Sequence, residues 1–328
     1  MAAAMAAVPP SVPLRDLAAR RGLWVGACVA AGPLADEPEY AETLRRECSV
    51  LTPENDMKWG PIHPTPDGYD FSRADAIVQF ARSHGMAVHG HTLVWHNQNP
   101  EWLAPAAVAR EAAMGILREH IAAVAGRYAD TAAIWDVVNE AVADDGTLRR
   151  TLWLERIGPD YLDIAFRAAA EAAPHAKLVY NDYAAEALTP KSDGIYRLLR
   201  ELLDSGVPLH GVGFQCHLTD HGVELERFAQ NLRRFADLGL ELYVTEMDVR
   251  LPLPATPALL ERQAAIYRGV LETCLTVPSF RGFQTWGITD RHSWVPRRFA
   301  GTGAALPFDE QLRPKPAYTA VHECLAAG

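Results

Sequence analysis

The chain of 328 residues lacks the marks of several common functions. Its five cysteines, Cys28, Cys48, Cys216, Cys274 and Cys324, contain no Cys-x-x-Cys pair. That argues against a zinc site or a disulfide framework and makes free buried thiols the expectation. No His-Glu-x-x-His sequence occurs, and no Gly-x-Gly-x-x-Gly turn follows an early apolar run. A zinc-protease helix and a dinucleotide-binding turn are therefore not expected, nor is any cofactor or metal. Positive charge is also scarce: 31 Lys and Arg stand against 41 Asp and Glu, for a net charge of -10. Nucleic acid and anionic membrane are poor partners for such a chain, whereas a neutral polymer is not excluded. No apolar run reaches the length of a membrane span. Met1 to Pro13 is rich in Ala and Pro and lacks the basic and apolar regions of a secretory signal, so it reads as a loose tail. No low-complexity linker divides the remainder, and one domain is expected over 14–328.

What the chain does have is an alternation of short apolar runs with helical stretches. Strands are expected over 23–29, 49–52, 87–91, 133–138, 177–180, 211–214, 240–245 and 282–286. Helices are expected over 14–21, 74–84, 106–126, 160–173, 191–205, 225–238, 259–275 and 317–325, with Gly85 a helix-ending signal. Eight strands alternating with helices predict an α/β fold with a parallel sheet, closed by right-handed crossovers into a (β/α)8 TIM barrel. A doubly wound open sheet is the alternative, and the missing glycine-rich turn disfavours it.

Polar residues cluster immediately after the expected strands, which in a barrel puts them on one face. The run Ile134-Trp135-Asp136-Val137-Val138-Asn139-Glu140 starts apolar and ends on an amide and an acid. The run Leu240 to Asp248 has the same form and carries Glu246. Either acid alone could cap a following helix. Together they lie three strands apart, across the mouth of a barrel, where two carboxylates suit glycosidic bond cleavage. That chemistry needs one acid protonated and the other ionised. Asn139 beside Glu140 offers a neutral amide, and His217 and Gln215 are placed to hydrogen-bond Glu246 and keep it anionic.

Three other groups have both a functional and a plain structural reading. The histidine-rich stretch His89 to Gln98 has His-x-His spacing, but nearby cysteines are lacking, and one of His89 and His91 reads as a barrel-interior histidine. Glu54 to Trp59 mixes acid, amide and amine, which is either a solvated helix start or a set of groups gripping sugar hydroxyls. Trp95, Trp286 and Trp294 are either core or walls on which a sugar ring packs.

These segments resemble glycoside hydrolase family 10, best known for endo-β-1,4-xylanases. The resemblance rests on Leu51 to Trp59, His89 to His96, Trp135 to Glu140, Asn181-Asp182-Tyr183 and Gly213 to Leu218, and continues with Thr245 to Asp248, Trp286 to Asp290 and Pro314 to Tyr318. It extends in order from about Leu14 to the C-terminus. It implies a retaining mechanism on a TIM barrel, with Glu140 as acid/base and Glu246 as nucleophile. Retention predicts carboxyl groups ~5–5.5 Å apart. It also implies that Glu54, Asn55, Lys58, His91, Trp95 and Gln98 bind sugar on the non-reducing side. Asn139, Gln215, Trp286 and Trp294 then line the point of cleavage, Tyr183 contacts substrate, and His217 hydrogen-bonds the nucleophile with Asp248 behind it. The implied partner is xylan or its oligosaccharides, acted on by a monomer. The family resemblance implies secretion, while the missing signal leaves a cytoplasmic location open. The chain departs from the family pattern in having Ser279-Phe280 where a second cysteine often stands, and Ala184 where Asn is common. Arg291 and His292 make the loop after the eighth strand more basic, which predicts altered selectivity toward acid-decorated xylan.

Overall fold

The computed structural model describes residues 10–327. Eight parallel strands form the frame: β1 Trp24–Val29, β2 Val50–Pro53, β3 Ala87–Val94, β4 Ala132–Asn139, β5 Lys177–Asp182, β6 Gly211–Phe214, β7 Glu241–Pro252 and β8 Phe280–Thr285. Each pairs with the next in sequence, and β8 pairs with β1 through Trp24↔Gly282 to Ala27↔Thr285, so the sheet closes. Helices fill the crossovers and cover the outside, which makes a (β/α)8 barrel. Of the tail expected over 1–13, residues 1–9 lie outside the described residues. The carbonyls of Pro10 and Val12 accept hydrogen bonds from Arg46 and His322.

The helices start where local chemistry dictates. Thr189 and Thr256 accept from the backbone N–H of Ser192 and Leu259, and Pro190 and Pro257 occupy the first helical turn. The expected helix over 106–126 is two pieces, Leu103–Ala106 and Arg110–Arg127. Helices Ala31–Asp36, Pro38–Glu47 and Leu152–Ile157 are additional to the sequence expectation. Pro38 does not break the second of these but begins it, where a missing N–H is harmless. All five cysteines are buried and unpaired.

The barrel interior is layered. At the bottom Ile134, Val179 and Tyr243 form a small apolar cluster of their own. Above it His89 and His91 donate to the two oxygens of Asp136, at 2.9 and 2.8 Å. Gln284 bridges His89 Nδ1 (2.8 Å) to the Thr52 hydroxyl (2.7 Å). Both histidines are thus committed to a structural carboxylate. Burial works against ionisation of Asp136, but the two imidazoles outweigh it and hold its pKa at about 2. Gly90 between the histidines leaves room for an indole: a Cβ there would stand 2.2 Å from the Trp135 ring.

Two features shape the top of the barrel. Strand β7 runs past the barrel to Pro252 and gains two rim partners. The short strand His217–Thr219 lies parallel to it, with His217 opposite Asp248 and Thr219 opposite Arg250. Thr302–Gly303 pairs with it antiparallel. The second feature is a break in register between Val244 and Met247 against β8, and another on β4 between Asp136 and Val138 against β5. Strict alternation would send Thr245 and Glu246 to opposite faces. Instead both side chains bond Asn181, so the irregularity re-aims the acid toward the barrel mouth.

Candidate active site

Above these layers opens a cleft of about 930 Å³. Fourteen of the residues singled out in the sequence line it: Glu54, Asn55, Lys58, His91, Trp95, Gln98, Asn139, Glu140, Tyr183, Gln215, His217, Glu246, Trp286 and Trp294. Asp248, the fifteenth, stands behind His217 and accepts from it at 3.0 Å and from the Trp294 indole at 2.8 Å.

Glu246 is held as an anion. Asn181 Nδ2 donates to its Oε1 at 2.7 Å, and His217 Nε2 to its Oε2 at 3.1 Å. Burial opposes ionisation, but the His217 hydrogen bond and the charges of His91 and His217 outweigh it, so the Glu246 pKa lies below the ordinary carboxylate value. His217 donates from both ring nitrogens to carboxylates and is therefore an imidazolium. Burial disfavours that charge too, yet Asp248 and Glu246 raise its pKa to about 10. Gly213 on β6 permits the arrangement: a Cβ there would stand 2.3 Å from Asn181 Oδ1.

Glu140 has a different setting. It follows β4 with φ of 59°, in the left-handed region that non-glycine residues rarely adopt. Its backbone N–H donates to Asn181 O at 2.9 Å, and its carbonyl accepts from Arg149 at 2.9 Å. The carboxyl meets neutral donors: Trp95 Nε1 at 2.9 Å, Gln215 Nε2 at 3.1 Å and, more distantly, Asn139 Nδ2 at 3.4 Å. His96 Nδ1 stands 3.9 Å away. Gln215 therefore serves Glu140, whereas the sequence placed it on Glu246. Trp95 likewise contributes its indole N–H to an acid as well as a ring face to the cleft.

A run of amides links the two acids. Asn139 Oδ1 accepts from Gln215 at 3.2 Å and from Asn181 at 3.0 Å, and these reach Glu140 and Glu246 respectively. The opposite orientation of the Asn139 amide would gain Asn181 O and Trp95 Nε1, each at 3.2 Å, but would set its NH2 against the NH2 groups of Gln215 and Asn181, whose direction is set by the two acids; that repulsion favours the orientation described. Asn181 lies in one of the family-like segments, yet the sequence attaches no role to it. Its signal is its place at the end of β5, between the two strands that carry the acids.

The run Glu54 to Trp59 divides by face. Lys58 donates to Asn55 Oδ1 at 3.0 Å, Gln98 reaches the same oxygen at 3.1 Å, and the ammonium lies 4.7 Å from the Trp95 ring centroid and 5.6 Å from that of Trp286. Burial lowers the Lys58 pKa, with Glu246 and Glu54 opposing. Burial raises that of Glu54. Asp56 instead turns away, accepting from Ala31 N at 3.0 Å and Arg73 at 2.6 Å, while Trp59 is buried. On the far side Tyr183 donates to Asp144 (2.7 Å) and accepts from Arg149 (2.9 Å). Arg291 and His292 do not face the cleft. Both engage Glu37, at 2.7 and 3.0 Å, so the expected basic influence of this pair on substrate choice is neutralised. Among the described residues no group of three or more His, Cys, Asp or Glu is arranged to hold a metal, and no helix is long and apolar enough to cross a membrane.

Two carboxylates facing one cleft, one clamped as an anion and the other among neutral donors, form the arrangement required for acid-assisted displacement at a sugar carbon. Comparison with known proteins gives the family. The sequence profile of glycosyl hydrolase family 10 matches residues 13–324. The endo-1,4-beta-xylanase B of Thermotoga neapolitana is 46% identical over 319 residues, covering 96% of this chain and 92% of that protein. The structure of native xylanase 10B from Thermotoga maritima superposes with a TM-score of 0.94 at 45% identity, covering 96% of this chain and 98% of that one. That of xylanase 10B from Thermotoga petrophila in complex with xylobiose gives 0.95 at 44% identity, covering 98% and 99%. The chain belongs to glycosyl hydrolase family 10.

Proposed function

We propose that the protein is an endo-β-1,4-xylanase that cleaves the xylan backbone with retention of configuration. Glu246 attacks the anomeric carbon and forms a covalent xylosyl-enzyme while Glu140 gives its proton to the departing oxygen. Glu140 then takes a proton from the water that releases the sugar. The observation that carries this reading is the contrast between the acids. Glu246 is held ionised by His217 and Asn181, whereas Glu140 receives hydrogen bonds from Trp95 and Gln215, neither of which brings a charge. The aromatic walls Trp95 and Trp286 and the polar set Glu54, Asn55, Lys58 and Gln98 suit a neutral sugar chain, which offers ring faces and hydroxyls. The names of the related enzymes and the xylobiose bound to one of them support xylose as the sugar.

The test is reducing-sugar release from xylan by the wild type and by Glu246→Gln. Release by the wild type that the variant lacks is expected. No release by the wild type would instead favour a barrel that binds xylan without cutting it.

A further inference from the structure

One feature of the cleft has no part in the chemistry above. Arg250 and Arg298 both line it, and their guanidinium carbons lie 4.1 and 5.4 Å from the centroid of the Phe299 ring. Among the described residues, neither guanidinium pairs with a carboxylate or donates a side-chain hydrogen bond. Arg291 pairs with Glu37, Arg262 with Asp220 and Arg227 with Glu224, whereas Arg297, beside Arg298, has no carboxylate partner among the described residues and acts through its charge on Glu54. Asp220 adjoins Thr219, the register partner of Arg250, yet it points to Arg262. Arg149, the third arginine of the cleft, spends its donors on the carbonyls of Glu140 and Val142 and on the Tyr183 hydroxyl. Two cations without counter-ions thus share one wall of a sugar cleft in a chain of net charge -10.

Their position relative to the reaction follows from the fold. Arg250 is four residues beyond Glu246 on β7, about 13 Å along a strand. Phe299 packs edge-on against Trp294 at 5.5 Å, and Trp294 lies 5.0 Å from the His217 ring. The arginines therefore flank the nucleophile's own support but lie outside its hydrogen-bond reach. Three strands round the barrel from β7, through β8 and β1, stands β2, which Glu54, Asn55 and Lys58 follow. Contact with the Phe299 ring leaves the N–H groups of both uncommitted, and a planar fork of donors fits a carboxylate with two parallel hydrogen bonds.

We propose that Arg250 and Arg298 form a subsite for the carboxylate of a uronic acid branch on the xylan backbone, so that the enzyme favours acid-decorated over plain chains. This rests on the xylanase reading. The selectivity that the sequence attached to Arg291 and His292 thereby passes to a different pair, one with free donors and a place in the cleft.

The experiment compares kcat/KM on an unbranched xylo-oligosaccharide and on the same oligosaccharide bearing one uronic acid branch. It uses the wild type, Arg250→Met, Arg298→Met and the double variant, since Met keeps stem packing and removes charge. Two partly exposed charge pairs predict that the double variant loses about five- to tenfold more on the branched substrate than on the unbranched one. In the wild type the preference for the branched substrate shrinks as salt is raised. Equal losses on both substrates, or no selective loss, overturn the subsite while leaving xylan cleavage intact. Cleavage of neither substrate by the wild type overturns the xylanase reading and the subsite with it.

Discussion

Replacing His217 by Asn probes the clamp on the nucleophile. The imidazolium reaches Glu246 at 3.1 Å and Asp248 at 3.0 Å, both acids being buried and the histidine half-buried. A hydrogen bond to a charged group contributes roughly 1.5–3 kcal/mol. Losing the cation withdraws that support from the ionised form alone, so the Glu246 pKa rises. The sign follows from the role. Glu246 works ionised, and its pKa now sits below the ordinary value because His217 outweighs burial. Removing His217 leaves burial less opposed, and the acid limb of kcat/KM, which reports the free enzyme, moves to higher pH. Asp248→Asn provides the companion. It takes away the largest attraction on His217, whose pKa then falls from about 10 toward the ordinary imidazole value, and an alkaline limb appears nearer neutrality. The assay is kcat/KM against pH on a soluble xylo-oligosaccharide, with thermal melting to confirm the fold. An acid limb unmoved in a well-folded His217→Asn would refute the reasoning.

Glu140→Ala is expected to cripple xylan hydrolysis far more than hydrolysis of aryl xylosides with acidic phenol leaving groups, which need little protonation; equal losses on both would contradict its role as proton donor. Stability should fall on acidification through a second pair. Burial lowers the pKa of His63 and of His120, and at His120 the neighbouring His63 adds to the effect. Both are therefore neutral when folded, and their contribution is full above about pH 6.5 and declines as pH falls toward their depressed values. His120→Phe, which keeps a ring on Trp59, should show a smaller drop in melting temperature between neutral and mildly acidic pH; an unchanged drop would assign the effect elsewhere.

The barrel was legible because each of its strands is a short apolar run, and burial on both faces demands such runs. The rim was less so. His217–Thr219 is only three residues long and mixes polar with apolar, so nothing in its periodicity marks it as a strand. The extension of β7 to Pro252 depends on partners elsewhere in the chain. Candidate site residues emerged because polar groups following apolar strands stand out, but their mutual contacts did not. That Gln215 serves Glu140, or that Asn181 bonds Glu246, depends on a register break at Thr245 and Glu246 that no local pattern announces. Arg291 and His292 looked free in sequence because Glu37, their partner, lies some 250 residues away.

The most direct test of the double displacement is mass spectrometry after incubation with an activated 2-fluoro-xyloside, which slows release of the sugar from the enzyme. The account predicts one 2-fluoro-xylosyl group attached to Glu246, removed slowly on adding an acceptor sugar. Turnover of the compound without any adduct, or an adduct on another residue, would contradict it.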